Sequence, residues 1–145
     1  MMNTIPMTKM LRLSLAGDAV MSAAAGLLMV GGAGFLSRFL ELPQSLLAYA
    51  GMALIPYVIF LGIIAKRASL SSALAWAVIG GNMLWSLASG LLLIVGLVSP
   101  NAFGYAFVII QAIAVLVFAE FQYLALRQAS KGVAQNPIGA VAHAK

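Results

Sequence analysis

Four apolar runs, each long enough to cross a lipid bilayer, dominate the sequence. A spanning helix needs about 20 consecutive apolar residues, and the runs cover about 13–36, 45–65, 75–98 and 102–126. Segments with charged residues, serine or proline separate them, and Ser69 or Ser71 is expected to cap the start of the third helix. The pattern predicts an all-α, four-helix transmembrane bundle, with residues 1–145 forming one domain.

The charge content supports lipid as the surrounding medium. Only 8% of the 145 residues are charged, whereas a soluble domain carries about 25%. So few charges do not cover the surface of a water-soluble protein, and we expect an integral membrane protein. The net charge of +5 fits basic residues that flank membrane spans better than it fits nucleic-acid binding, because the basic residues form no stripe interleaved with aromatic residues.

Several kinds of active site are excluded by residue types that the sequence lacks. The absence of cysteine excludes disulfides and thiolate metal sites. The single histidine, His143, is the third residue from the end of the sequence, and the carboxylates are Asp18, Glu41 and Glu120. The sequence therefore predicts a protein that is not an enzyme and binds no metal ion or cofactor.

The basic residues predict the orientation of the chain. Of the eight lysines and arginines, seven fall on one side of the predicted topology: Lys9, Arg12, Lys66, Arg67, Arg127, Lys131 and Lys145. Arg38 falls on the other side. Because basic residues concentrate in cytoplasmic segments, we expect a multi-pass protein of the inner (plasma) membrane with both termini in the cytoplasm. We expect the segments before Lys9 and after Lys131 to be solvated and mobile.

The first and third runs contain related segments 64 residues apart. When residues 17–32 (GDAVMSAAAGLLMVGG) are aligned with residues 81–96 (GNMLWSLASGLLLIVG), seven of sixteen positions are identical and Asp18 is aligned with Asn82. We interpret the chain as a helical hairpin used twice. The two halves would then be parallel repeats, related by an axis along the membrane normal.

Small residues within the repeat are spaced for helix packing. Ser22 and Gly26 are four residues apart, as are Ser86 and Gly90. Small residues at this spacing let helix backbones approach closely in lipid. We therefore expect spans one and three to form the inner contact of the bundle.

Three polar side chains are predicted to share one layer near the cytoplasmic ends of the spans. At a rise of about 1.5 Å per residue, Asp18, Asn82 and Glu120 lie about 26–28 Å from the outer ends of their runs. Two interpretations stay open. In one, the acids pair with Arg12 and Arg127 near the interface. In the other, Asp18 and Glu120 form a coupled acid pair that exchanges a proton for a cation.

Other polar residues lie in the second and fourth runs. Gln111 and Gln122 share a face of the fourth helix, and Glu120 points roughly opposite Gln111. One side of this helix is expected to face the bundle and the other a second copy or a partner membrane subunit. Pro56 interrupts the second run, and Tyr57 or a neighbouring helix is expected to satisfy the carbonyl that this proline frees.

Two motifs carry a resemblance to known proteins. The pattern Asn-x-x-Trp-x-x-x-Ser at 82–89 and the stretch AEFQYLALR at 119–127 resemble a group of small bacterial four-span membrane proteins, over most of 11–128. That group has no known activity, so the resemblance implies a fold and no site residues. On architecture alone, the chain is similar to DoxX-like four-span proteins. Small multidrug transporters also have four short spans and an acid in the first, but their weak charge bias and aromatic motifs are not found here.

Two functions stay open from the sequence. The first is a non-enzymatic accessory or assembling subunit whose partners are the lipid bilayer and a second copy or another membrane subunit. The second is a small proton-coupled transporter that uses Asp18 and Glu120.

Overall fold

Four long helices, in the predicted order, form most of the protein. The computed structural model describes residues 4–135, so His143 and Lys145 lie outside it. The elements in chain order are strand β1 (Thr4–Pro6), helices α1 (Lys9–Gly31), α2 (Ala33–Leu40) and α3 (Gln44–Ala65), strand β2 (Ser69–Ser71), and helices α4 (Ser72–Ile94) and α5 (Ala102–Gln135). Helices α1, α3, α4 and α5 are each long and apolar enough to cross a membrane. The predicted helical class is confirmed, and the four apolar helices indicate a multi-pass membrane protein.

Side-chain caps fix the starts of two long helices. Thr8 Oγ1 accepts a hydrogen bond from the Leu11 amide at 3.2 Å, and Ser71 Oγ accepts one from the Leu74 amide at 3.4 Å. Each cap satisfies an N–H group in the first turn that has no helical acceptor, and Ser71 is confirmed as the cap of α4. Beyond the end of α4, Gly96 has a φ of 71°, a left-handed conformation that glycine adopts without steric cost.

The first predicted span is divided at Gly32. Helix α1 ends at Gly31 and α2 begins at Ala33. A Cβ added to Gly32 would lie 2.7 Å from the carbonyl oxygen of Leu28, so this turn requires a glycine. The sequence pattern predicts one continuous helix over 13–36, and the pair of glycines interrupts it because glycine is a poor helix former and a common site of kinks.

The two short strands form an antiparallel pair in which Ile5 lies opposite Leu70. These side chains are 4% and 1% exposed and belong to an apolar cluster that includes residues from all four long helices. The prediction of a solvated segment before Lys9 is therefore wrong for Ile5, which is buried against the helix ends, whereas Thr4 and Pro6 are exposed.

The long helices pack as two pairs. Helix α1 lies chiefly against α3, α4 lies chiefly against α5, and a smaller contact between α1 and α5 joins the pairs. The starts of α1 and α4 lie beside the ends of α3 and α5, and we call this the terminal end of the bundle. The opposite end, where 41–43 and 95–101 connect the helices, is called the far end.

The small residues do not form the contact that the sequence predicts. A Cβ on Gly26 would lie 3.3 Å from the carbonyl oxygen of Gly51 on α3. Gly90 has no atom within 4 Å of the position of an added Cβ, and Ser86 donates a hydrogen bond to the carbonyl oxygen of Ala112 on α5 at 2.9 Å. The prediction that small residues join α1 to α4 is therefore wrong, because the facing glycines bring α3 closest to α1.

The apolar core is divided between the two ends of the bundle. The cluster at the terminal end includes Leu11, Leu15, Leu61, Ile64, Ile79 and Leu126. The cluster at the far end includes Met29, Leu36, Leu40, Leu47, Val98 and Val108. The polar side chains and the cavity described below lie between these two clusters.

Gly51→Ala is expected to destabilise the bundle by about 1–2 kcal/mol, because overpacking outweighs the gain in helix propensity. The new Cβ would lie 2.8 Å from Val30 Cγ2 and 3.0 Å from the Gly26 carbonyl oxygen. Gly62→Ala in the same helix is the matched control, because a Cβ there meets no atom within 4 Å. Thermal unfolding in detergent micelles measures both variants. Equal melting temperatures for the two would contradict this packing of α1 on α3.

Candidate functional site

Asp18 lies inside the bundle, where its side chain is 1% exposed. Its Oδ2 atom accepts hydrogen bonds from Asn82 Nδ2 at 2.7 Å, Gln122 Nε2 at 2.8 Å and the Tyr57 hydroxyl at 2.9 Å. Its Oδ1 atom accepts a hydrogen bond from Ser22 Oγ at 3.1 Å. We call these five side chains the Asp18 network.

The Asp18 network joins all four long helices. Tyr57 on α3, Asn82 on α4 and Gln122 on α5 all reach the carboxylate, which belongs to α1. Asn82 Nδ2 also donates to Gln122 Oε1 at 3.2 Å, so the partners are bonded to each other. Every buried polar side-chain atom in the described part of the chain has a hydrogen-bond partner. Because an unpaired polar group is costly in an apolar bundle, the network restricts the rotation of each helix about its axis.

The four donors to Asp18 are neutral. Arg12, a predicted partner of this acid, is exposed, and its guanidinium donates to the backbone carbonyl of Arg67 at 3.2 Å. The interpretation of Asp18 as half of an interfacial ion pair is therefore wrong. Neutral donors stabilise a carboxylate without cancelling its charge, and the side chains that donate to Asp18 in the described chain include no basic group.

The Tyr57 hydroxyl lies between two acceptors. Its oxygen is 2.9 Å from Asp18 Oδ2 and 2.8 Å from Asn82 Oδ1. A hydroxyl has one hydrogen. While Asp18 carries no proton, the Tyr57 hydroxyl can therefore donate to only one of these two oxygens at once. A proton on Asp18 would be donated to the Tyr57 oxygen, while Tyr57 donates to Asn82. The network thus has a place for one additional proton.

Glu120 does not belong to the network. Its side chain is exposed on the outside of α5, whereas Gln122 is 1% exposed. Two residues correspond to a rotation of about 200° around a helix, so these side chains point to opposite sides. The structure brings Asp18 and Asn82 together and leaves Glu120 apart, and the predicted acid pair of Asp18 and Glu120 does not form.

The sequence indicates that the Gln122 side chain faces the inside of the bundle, which an estimate of its depth along the helix does not reveal. Ala119 and Ala125 lie three residues on either side of it, and they are 4% and 0% exposed. Small residues at this spacing mark the face of a helix that packs closely in a bundle. The signal for Tyr57 was weaker, since a tyrosine after a proline is expected to satisfy a backbone carbonyl, and its hydroxyl joins the Asp18 network instead.

A cavity of about 600 Å³ extends from the Asp18 network toward the far end, and we call it the central cavity. Aliphatic and aromatic side chains from the four long helices form most of its wall, including Leu28, Leu54, Trp85, Phe107, Ile110 and Phe118. Four members of the network and Gln111 supply its polar groups. Gln111 lies on nearly the same face of α5 as Gln122, about 16 Å away along the helix axis.

The central cavity is open to the apolar outer surface of the bundle. Several of its lining residues are exposed, on each of the four long helices: Met21, Ala24, Leu28, Ala53, Gly81 and Ile110. Helices α3 and α4 are not among the pairs that pack closely, and the Tyr57–Asn82 hydrogen bond connects them.

The central cavity offers one carboxylate, several neutral donors and a hydrocarbon wall. Among the described residues, no three His, Cys, Asp or Glu side chains lie close enough together to hold a metal ion. An amphipathic molecule with a cationic or hydrogen-bond donor group at one end matches this set of side chains.

No protein-family model, curated protein or solved structure matches this chain. The resemblance to DoxX-like and other small four-span proteins therefore stays a prediction.

Asp18→Ala is expected to lower the free energy of unfolding by about 2–4 kcal/mol, because it leaves several buried donors without their acceptor. Glu120→Ala removes the same kind of group from the outer surface of α5, where no buried donor depends on it, and is expected to cause no loss of stability. Unfolding of both variants by denaturing detergent in mixed micelles provides the comparison. A similar loss for the two variants would rule out a special structural role for the Asp18 network.

Proposed function

We propose that this chain is a non-enzymatic accessory protein of the bacterial inner membrane that binds a small amphipathic molecule inside its helix bundle. The observation that carries the proposal is the central cavity, whose apolar wall leads to a buried carboxylate. Ligand pockets usually enclose about 300–1,000 Å³ and combine an apolar lining with a few polar groups. The central cavity, at about 600 Å³, falls within this range.

Charge and topology support the proposed membrane location. The basic residues at the terminal end within the described chain are Lys9, Arg12, Lys66, Arg67, Arg127 and Lys131. Arg38, near the end of α2, lies at the far end. Because basic segments stay in the cytoplasm, the terminal end is proposed to face the cytoplasm and the far end the opposite side of the inner membrane.

The hydrogen bonds of the site define the ligand group that it prefers. Asp18 Oδ1 accepts one hydrogen bond, whereas Oδ2 accepts up to three. A carboxylate oxygen has two lone pairs, so Oδ1 has acceptor capacity left for a ligand. An amine or hydroxyl group bound there would place an apolar chain along the cavity toward Gln111. The exposed side of the cavity would let such a molecule enter from the lipid.

Decylamine and decanol test this proposal, with decanoate as the probe that lacks a donor group. A Trp76→Phe background leaves Trp85, which lines the central cavity, as the single tryptophan. In phosphatidylcholine nanodiscs, we expect a saturable change of Trp85 fluorescence with the amine and the alcohol. Decanoate should bind about tenfold more weakly, because its carboxylate cannot donate to Asp18.

Two alanines of α5 provide matched variants for the same titration. Ala114 lines the central cavity, and Ala106 is exposed on the same helix outside it. Ala114→Phe fills the cavity and should weaken decylamine binding by about tenfold, whereas Ala106→Phe should leave it unchanged. Equal affinities in these two variants would show that the probe does not bind in the central cavity.

Proton-coupled transport is the second candidate, and the shared hydrogen of Tyr57 favours it. The Asp18 network accommodates a proton in one state and a bare carboxylate in the other. A cation that binds the carboxylate would displace that proton, and the two could then move in opposite directions. Asp18 would carry this exchange without Glu120, which lies on the outer surface.

Proteoliposomes that contain a pH-sensitive dye distinguish the carrier from a binding protein. Addition of decyltrimethylammonium, whose charge is permanent, should drive protons out of vesicles if the chain exchanges cations for protons. Asp18→Asn should abolish this signal and Glu120→Gln should preserve it. If the wild type binds decylamine saturably but releases no protons from the vesicles, the result would support the accessory role and rule out the proton-coupled carrier.

We also propose that the two helix pairs descend from one duplicated hairpin and that α5 meets a partner subunit. The pairing of α1 with α3 and of α4 with α5 supports the duplication, as does the hydrogen bond between Asn82 and its repeat equivalent Asp18. The exposed Glu120 supports an assembling role, because a carboxylate facing lipid is costly and a partner helix would supply donors.

A further inference from the structure

We propose that a groove between α4 and α5 at the terminal end binds the phosphate of an anionic phospholipid. The groove has a volume of about 390 Å³ and is lined by Ser72, Trp76, Tyr123, Leu126, Arg127, Ser130 and Lys131. We call it the Arg127 groove. The proposal is independent of the central cavity, since the two sites share no lining residue.

Two cations of the Arg127 groove are placed to hold one phosphate. Arg127 and Lys131 are four residues apart on α5, which is one helical turn, and both side chains are exposed. Arginine presents a planar fork of donors that matches two phosphate oxygens, and lysine adds a compact charge. The two side chains therefore converge on one anion from neighbouring turns of the same helix.

Helix α4 contributes the other wall of the groove. Ser72 is the first residue of α4 and lines the groove. Ser130 Oγ donates to the Leu126 carbonyl oxygen at 2.9 Å, so the main donors offered to an anion come from the two cations, Arg127 and Lys131.

The aromatic side chains set the depth of the groove in the proposed membrane. The ring centroids of Trp76 and Tyr123 are 5.9 Å apart across α4 and α5. Tyr123 lies about 31 Å along the axis from Ala102, which is close to the thickness of about 30 Å for a hydrocarbon core. Trp and Tyr concentrate at this boundary, and Arg127 lies one turn beyond it, at the level of lipid phosphates.

This depth favours a phospholipid over a soluble phosphate. A lipid phosphate at the level of Arg127 places its acyl chains along the exposed apolar surface of Trp76, which is 51% exposed. Glu120 lies on the same face of α5 as Arg127 but about 10 Å deeper, so its carboxylate lies below the level of the phosphate. Basic pockets between spanning helices on the cytoplasmic side are a recurrent form of anionic-lipid site.

Quenching of Trp76 tests the Arg127 groove. A Trp85→Phe background leaves Trp76 as the single tryptophan, and the protein is placed in phosphatidylcholine vesicles that contain a small fraction of brominated lipid. Brominated phosphatidylglycerol should quench Trp76 at about tenfold lower mole fraction than brominated phosphatidylcholine does. Arg127→Gln combined with Lys131→Gln should abolish that preference.

The control is a second double variant that removes the same charge from the same end of the bundle. Lys9→Gln with Lys66→Gln changes two exposed lysines that lie outside the groove, and it should retain the preference for phosphatidylglycerol. An equal loss in both double variants, or equal quenching by the two lipids in the wild type, would overturn the proposal in favour of general surface attraction. Displacement of the brominated lipid by millimolar glycerol phosphate would also overturn it, in favour of a soluble phosphate.

Discussion

The carboxylate of Asp18 accepts a hydrogen bond from a side chain on each of the other three long helices, and their arrangement depends on it. In the proposed lipid environment, apolar helices gain little by burying apolar surface against one another. Close packing and side-chain hydrogen bonds then decide which faces meet. The pair of facing glycines fixes α1 against α3, and the Asp18 network fixes the rotation of α4 and α5 relative to that pair.

The same network explains why the bundle contains a cavity in its middle. Apolar clusters fill the two ends, whereas the network holds α3 and α4 together through the Tyr57–Asn82 hydrogen bond in place of extended packing. The central cavity lies beyond that bond, toward the far end, and exposed residues of the four long helices line it. Tyr57 and Asn82, which form that hydrogen bond, also line the central cavity. A ligand in the cavity would therefore lie beside the hydrogen bond.

The sequence predicts the number and order of the long helices because length and hydropathy are sufficient for that. Depth along a helix is also readable from a residue count, and the repeat aligned Asp18 with Asn82, which meet in the structure. Rotation about the helix axis is not readable in this way. Glu120 and Gln122 have nearly the same depth, and the flanking alanines decide which one faces the bundle. The break at Gly32 and the β1–β2 pair depend on contacts between distant segments, which hydropathy does not report.

The proposed duplication gives a physical reason for the difference between Asp18 and Asn82. Equivalent positions of two parallel repeats come together only where they lie near the axis that relates the halves, and these two side chains are 2.7 Å apart. Two carboxylates at that distance cannot both be ionised without a large cost, whereas an amide supplies both a donor to Asp18 and an acceptor for Tyr57. Divergence at this pair therefore turns a repulsive contact into the centre of a four-helix network. The halves differ in packing as well, because Gly26 contacts Gly51 whereas a Cβ added to Gly90 meets no atom within 4 Å.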